Sequence, residues 1–276
     1  MGLSKQPRAV VTGAGSGLGR AFCIEIVKRN GRVIASDVDE ASARATADLL
    51  KGAATPVRCD VTKVEEVEAL AALAERDLGG VDLVVNNAGV AVGGKVGEVS
   101  MEDWRWLMGV NLWGVIHGCH VFVPRLRKQG GGHIINIASA AGFAGMPLMA
   151  PYCVAKSGVM ALSEALYCEL ASAHVGVTVV CPTFFKTNIG KSSRGPEGIE
   201  QVRAMTEKLM DAGKLSAEDV ARHALKTADA GDLYAIPMAD ARWLWRIKRL
   251  MPQRFLGIAR TAALKQAKKF GVNVEL

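Results

Sequence analysis

Short apolar runs alternate with amphipathic stretches along most of this chain. Arg8-Ala9-Val10-Val11 predicts a first strand, and Phe22, Ile24 and Val27 mark a helical face behind it. Val33-Ile34-Ala35-Ser36 predicts a second strand ending at Asp37, followed by a helix over roughly 40–51. Val57-Arg58-Cys59 predicts a third strand, after which Val64, Val67, Leu70 and Leu73 recur at helical spacing. Asp82-Leu83-Val84-Val85 and the run from His133 to Ala138 predict the fourth and fifth strands. Between them Ser100-Met101-Glu102-Asp103 has the form of a capped helix start. A long helix over 152–172 precedes a sixth strand, Val177 to Cys181, which Pro182 stops. Ser216-Ala217-Glu218-Asp219 opens a helix through Val220, Ala224 and Leu225, and Leu233-Tyr234-Ala235-Ile236 predicts the last strand. Such alternation, with right-handed crossovers, predicts an α/β fold on a parallel sheet.

The polar residues that interrupt this pattern fall at strand ends. Thr12-Gly13-Ala14-Gly15-Ser16-Gly17-Leu18-Gly19 joins the first strand to its helix. Strand, glycine-rich turn and helix together offer a pyrophosphate the amide end of the helix, and the glycines let backbone approach it closely. A glycine-rich turn without a ligand is the plainer alternative. Asp37 lies 18 residues after Gly19, where an acid can bond adenosine ribose hydroxyls and repel a 2′-phosphate. Ser16, Ser36 and Val38 supply no positive charge, so NAD is expected over NADP; a helix-capping role is the alternative for Asp37. Asn86-Asn87-Ala88-Gly89 closes the fourth strand, and Ser139 closes the fifth. Asn111 is a polar residue in an apolar helical context and must be bonded if buried.

Tyr152 and Lys156 stand four residues apart, on one face of a helix. An ammonium beside a phenol favours the phenolate and lowers its pKa from about 10. A shift of three units needs roughly 4 kcal/mol, which one lysine and a cationic cofactor ring can supply.

Composition adds limits. The chain has 276 residues, half of them hydrophobic, enough for one large domain core. Its net charge of +7 is uneven: residues 240–276 carry nine Lys/Arg and two Asp/Glu, and the rest balances at 25 against 25. The neutral body argues against nucleic-acid binding. Six cysteines without a C-x-x-C pair read as reduced packing residues, with no disulfide frame and no metal site. Met1 to Arg8 lacks an apolar signal core and no apolar run suggests a spanning helix, so a cytoplasmic protein is expected.

In their order and spacing, Thr12 to Gly19, Asp37, Asp60, Asn86-Asn87-Ala88-Gly89, Asn111, Ser139, Tyr152 with Lys156, and Pro182 with Thr187 resemble the short-chain dehydrogenase/reductase family over about residues 7–190, and more weakly to 238. The resemblance implies a single-domain Rossmann-type doubly wound parallel sheet with helices on both faces, and hydride transfer between a nicotinamide cofactor and a CH-OH group. By the same resemblance Tyr152 is the acid/base, Lys156 lowers its pKa and holds the nicotinamide ribose, Ser139 bonds the substrate oxygen, and Asn111 holds a relay water. Gly13, Ser16, Gly17, Leu18 and Gly19 would cradle the cofactor. Asp60 and Val61 would meet adenine, Asn87 the adenosine ribose region and Thr187 the carboxamide, with Ala88, Gly89 and Pro182 also against the cofactor. Where the family commonly has Pro-Gly, this chain has Pro182-Thr183, which puts the path of that loop in question.

Residues 1–239 are thus expected to form the NAD-binding catalytic domain, with a substrate lid over about 183–215. In the lid, Lys191 to Pro196 form a turn, and Ile199, Val202, Met205, Leu209 and Met210 a helical pattern. Phe184, Phe185, Met205 and Leu209, with Phe143 and Met149, suggest an apolar pocket for a lipophilic alcohol or ketone, unless they only pack the lid. Residues 240–276 read as a basic amphipathic extension: Arg242, Arg246 and Arg249 share one face, Trp243, Ile247 and Leu250 another, and a second helix follows Pro252 to about Phe270. It could lie on an anionic membrane, gate the pocket, attract an acidic carrier or pack on another subunit. An NADPH-dependent ketoacyl-type reductase and a non-catalytic nucleotide-binding protein are the rival functions. The family resemblance implies a homodimer or homotetramer.

Overall fold

The computed structural model describes residues 2–187, 189, 193–196 and 199–269. Its centre is a seven-stranded parallel sheet: β1 (Arg8–Thr12), β2 (Arg32–Asp37), β3 (Ala54–Arg58), β4 (Leu83–Asn86), β5 (Gly132–Ile137), β6 (Val175–Val180) and β7 (Tyr234–Ala235). The strand order is β3-β2-β1-β4-β5-β6-β7. Helices α1 (Gly17–Val27), α2 (Glu40–Leu49), α3 (Val64–Leu78), α4 (Met101–Met108), α5 (Gly114–Gln129), α6 (Ala141–Ala144), α7 (Ala150–Glu169), α8 (Ile199–Asp211) and α9 (Ala217–Ala230) follow in chain order, then α10 (Ala239–Leu250) and α11 (Pro252–Lys269).

Strands covered on both faces must be apolar throughout, and β1, β4, β5 and β6 are buried along nearly their whole length. β3 is one of the two edge strands, β7 the other. β3 begins at Ala54, earlier than the predicted Val57-Arg58-Cys59, because an edge tolerates Pro56, which cannot donate to a ladder. The order reverses between β1 and β4, and ligands bind in the crevice that such a switch opens at the carboxyl strand ends. The glycine-rich turn leaves β1 at that point and Asn87-Ala88-Gly89 leaves β4 beside it.

Helix α7 starts at Ala150, two residues before the expected boundary, with Pro151 in its first turn where no amide partner is lost. Between α4 and α5 the chain makes one π turn, Gly109–Trp113, centred on Asn111. Met101–Gln129 is therefore one long apolar rod that by length and hydropathy could cross a membrane, contrary to the expectation of none. Its Leu107, Val115, Phe122 and Leu126 are buried in the body of the protein, the placement of a core helix. Short α6 was not foreseen in the uncharged stretch after Ser139.

The basic extension joins the body. Ala241 is fully buried, and Trp245 packs on the core beside Tyr234, ring centroids 5.3 Å apart. Arg249 stacks over Trp245 at 4.3 Å, donates to the Tyr234 hydroxyl at 3.0 Å and faces Glu164 of α7, which the Tyr234 hydroxyl also contacts. Arg242 donates to the carbonyls of Ile236 and Pro237. The expected arginine face is thus exposed throughout, with Arg242 and Arg249 as anchors and Arg246 without an ion pair among the described residues.

Candidate active site

Thr12, the last residue of β1, ties the two strand ends together. Its hydroxyl accepts from the Asn87 and Ala88 amides at 3.0 and 3.1 Å. The Asn87 side chain donates to the Thr12 and Gly13 carbonyls at 2.8 and 3.1 Å. Asn87 lines the cleft, but its carboxamide is spent on the turn. Gly13 has φ +63°, and a Cβ there would lie 2.8 Å from the Ala88 Cα. A Cβ on Gly19 would lie 2.0 Å from the Gly13 carbonyl oxygen. Only glycine permits this approach of turn, strand end and helix.

Helix α1 begins at Gly17. Its N-cap, Ser16, makes no side-chain cap bond, and its first turn carries no acid. That end of α1 meets the cleft at Gly13, Ser16, Gly17 and Leu18, with first-turn amides and a positive helix end suited to an anion. Asp37 accepts from the Gly15 amide at 2.9 Å and from the Asp39 amide at 3.1 Å, and faces the cleft. The helix-capping role falls to Asp39, which accepts from Ala41. Asp60 accepts from the amide and hydroxyl of Thr62, and the Val61 carbonyl accepts from His117 Nδ1 at 2.9 Å. These bonds hold the β3 end as a second wall.

Further along the cleft, Ser139 accepts from the Ala141 amide at 3.2 Å and donates to the Pro182 carbonyl at 3.4 Å, and it lines the cleft with the Tyr152 phenol. Lys156, 2% exposed, donates to the Ile137 carbonyl at 2.7 Å and stands 5.7 Å from the Tyr152 ring centre. Burial pushes the phenol up to about 12, with the Ser139 hydroxyl opposing, and the same burial pushes Lys156 down to about 8. The expected lowering of Tyr152 by Lys156 is therefore not found in the protein alone, where desolvation dominates.

Asn111 is fully buried. Its carboxamide accepts from the Val90 amide and donates to the Val90 carbonyl, both at 2.8 Å. It is first of all a clamp between the π turn and the segment after β4. A Cβ on Gly89 would meet Asn111 Oδ1 at 3.5 Å and Lys156 Nζ at 3.8 Å, so both groups flank Gly89. Leu148 has φ +62°, which turns the chain sharply into α7. Such a conformation costs a non-glycine residue about 1–2 kcal/mol. Thr183 keeps an ordinary negative φ, so its loop follows β6 without the glycine common in the family.

One cleft of about 1080 Å³ is lined by Gly13, Ser16 to Leu18, Asp37, Asp60, Val61, Asn87 to Gly89, Ser139, Tyr152, Lys156 and Pro182, whereas Gly19 and Asn111 stand behind its wall. It exceeds the ~300–1,000 Å³ of a usual small-molecule site, leaving room for a dinucleotide and a second molecule. Phe184, Phe185 and Met149 line it as expected. Phe143 is buried in the core instead. On α8 it is Arg203, Thr206 and Met210, about one turn apart, that face the cleft, where Met205 and Leu209 were expected. Thr187 lines it too, and Arg203 donates to the Ser193 carbonyl at 2.7 Å. The expected turn residues Lys191 and Ser192 lie outside the described residues, as does Phe270. Sequence reading missed Leu244 of α10 and Phe255, Ala259 and Ala262 of α11, which close the far end. The 255, 259, 262 spacing was the available signal.

The family model for short chain dehydrogenase matches residues 7–198. The chain belongs to the short-chain dehydrogenase family. It is 35% identical over 261 residues to the "Probable oxidoreductase EphD" of Mycobacterium bovis, which covers 91% of this chain and 44% of that protein. The chain thus spans less than half the length of that relative. It is 33% identical to D-threitol dehydrogenase of Mycolicibacterium smegmatis over 76% of this chain and 81% of that enzyme. A solved family member from Burkholderia phymatum, in complex with NAD, superposes with a TM-score of 0.82 at 34% identity, over 88% of this chain and 94% of that one. Oxidoreductase chemistry with a nicotinamide cofactor is the family's province. The glycine cradle, the α1 amide end and the cleft volume fit such a dinucleotide.

Proposed function

We propose that this chain is an NAD(H)-dependent oxidoreductase that interconverts a lipophilic secondary alcohol and its ketone. The observation that carries this reading is the meeting of Ser139, Tyr152 and Lys156 in the same cleft that the glycine turn lines. Bound NAD supplies the hydride acceptor and a positive ring charge. Tyr152 takes the alcohol proton, or returns it to a ketone. Ser139, beside the phenol in the cleft, orients the same oxygen. Lys156, fixed by Ile137, holds the nicotinamide ribose and keeps positive charge near the phenol. Asn111 positions the Val90 rim beside Gly89 and, in this reading, lies on the proton relay. Pro182 and Thr187 hold the carboxamide side of the cofactor, and Gly13 to Gly19, Asp37, Asp60, Val61 and Asn87 to Gly89 the adenosine side.

Asp37 supports NAD over NADP: its carboxylate faces the cleft, and no salt bridge to it occurs among the described residues. A 2′-phosphate would meet like charge there. Met146, Met149, Phe184, Phe185, Met210 and Leu244 support an apolar substrate. The 240–276 extension, set against the catalytic body 1–239, acts as a wall of the pocket. Exposed Trp113, Val154 and Tyr167 support self-association as a dimer or tetramer. A cytoplasmic setting, with the tail at a membrane surface, belongs to the same reading.

The test is NADH formation from a panel of secondary alcohols. Wild-type turnover is expected, with a loss of about 10²–10⁴-fold in Tyr152→Phe, the usual size of an acid/base contribution. Equal turnover by the variant would overturn the assignment of Tyr152. No turnover on any alcohol while NAD binds would favour the non-catalytic reading.

A further inference from the structure

The helix pair α10–α11 has two sides. Leu244, Phe255, Ala259 and Ala262 close the substrate end of the cleft. Away from the cleft the same pair exposes Trp243, Leu250, Met251, Leu256 and Ile258. Of these, Trp243 and Leu250 share a stripe of α10 with exposed Arg246, at helical spacing. Isolated exposed apolar residues are ordinary; five large ones within sixteen residues, indole included, are not. The charge around them has one sign. No Asp or Glu occurs from 241 to 274. Arg246, Arg254, Arg260 and Lys265 are exposed, and no ion pair to any of them occurs among the described residues. Arg242 and Arg249, by contrast, are engaged with the body, Arg242 at the Ile236 and Pro237 carbonyls and Arg249 at Tyr234 and Glu164.

Apolar side chains flanked by unpaired cations complement one kind of surface, an anionic lipid headgroup layer over acyl chains. We propose that the outer face of α10–α11 docks on an anionic bilayer and sets the substrate end of the cleft against it. Lipophilic alcohol then passes from the leaflet into the cleft past Leu244 and Phe255. The passage rests on the lipophilic-substrate reading; the docking does not. The latch of Arg249, Tyr234 and Glu164 couples the docked helix to α7, which carries Tyr152 and Lys156.

The experiment is co-sedimentation of the full chain with phosphatidylcholine vesicles, with and without phosphatidylglycerol, while turnover of a short water-soluble alcohol is followed separately. The wild type is expected to bind the anionic vesicles and be released by raised salt. Trp243→Ser/Leu250→Ser and Arg246→Glu/Arg260→Glu should each weaken binding about tenfold or more, with turnover of the short alcohol unchanged. Tryptophan emission should shift to the blue on binding in the wild type and not in Trp243→Phe. Failure to bind anionic vesicles, equal binding to neutral ones, or undiminished binding by both double variants would overturn the docking, while the short-alcohol assay keeps the dehydrogenase reading separate. A fall in solution mass of Trp243→Ser/Leu250→Ser by light scattering, without vesicle binding by the wild type, would assign the face to a second copy of the chain instead. Vesicle binding without turnover on any alcohol would support the docking and sink the proposed activity.

Discussion

At the nucleotide end of the cleft, the walls are backbone. The Thr12 hydroxyl, the Asn87 amide and the Asp37 carboxylate are each bonded to main-chain atoms of the neighbouring strand end or turn, and Gly13 and Gly19 bring that main chain into contact. At the substrate end, the walls are side chains drawn from four separate segments: Met146 and Met149 before α7, Phe184 and Phe185 after β6, Thr206 and Met210 on α8, and Leu244 and Phe255 in the extension. A hydrogen-bonded backbone cradle has one geometry and suits one ligand shape. A wall of flexible apolar side chains can be altered residue by residue without disturbing the sheet. In the proposed reading the cleft thus pairs a fixed half for the cofactor with an adjustable half for the substrate, and Ser139, Tyr152 and Lys156 stand where the halves meet.

The sharpest way to break that division is at the junction. Lys156→Met should lower turnover by about 10²–10⁴-fold yet stabilise the fold. Burial holds the Lys156 pKa down at about 8 against 10.5 for the free side chain, so the buried cation costs on the order of 3 kcal/mol at neutral pH. The sign follows from proton counts. Between pH 8 and 10.5 the unfolded chain binds more protons at this lysine than the folded one, so wild-type stability gains relative to the variant as pH rises through that window. Denaturant unfolding of both proteins at neutral and alkaline pH measures it. A variant less stable at neutral pH would show that the Ile137 bond outweighs the desolvation.

A change at the fixed end should be smaller and cofactor-specific. Asp37→Ala removes both the ribose acceptor and the charge that repels a 2′-phosphate, and the NAD-to-NADP ratio of kcat/KM should fall by roughly tenfold or more, about 1.4 kcal/mol. An unchanged ratio would take cofactor choice away from Asp37. The adjustable end should give the least. Leu244→Ala should cost a few-fold in kcat/KM for long alcohols, in line with about 0.8 kcal/mol per methylene left unburied, and nothing for short ones. Equal losses for both would mean that α10 supports the catalytic body instead of contacting substrate.

The same division explains what could be read from the sequence. Strand cores, the glycine turn, Asp37 and the Tyr152–Lys156 pair are local patterns, legible because a few adjacent residues carry each whole signal. The π turn at Asn111 was not legible, because the extra residue per turn leaves no mark in a short apolar run. Nor was the spending of Asn87 on Thr12 and Gly13, which depends on how β1 and β4 align. On α8 the periodicity was visible but its phase was not, so Met205 was chosen where Thr206 and Met210 face the cleft. The part of α11 that closes the cleft lies more than a hundred residues from Ser139, with nothing local to announce the contact. The phenol's upward shift is a property of burial, which sequence spacing does not contain.

The most direct test of the central claim is kcat/KM, at saturating NAD, across secondary alcohols of rising apolar length. A rise of up to roughly fourfold per methylene, until the chain reaches the wall at Leu244 and Phe255, is the predicted result. A flat or falling series, or turnover confined to polar polyols, would contradict an apolar substrate half built from the lid and the extension.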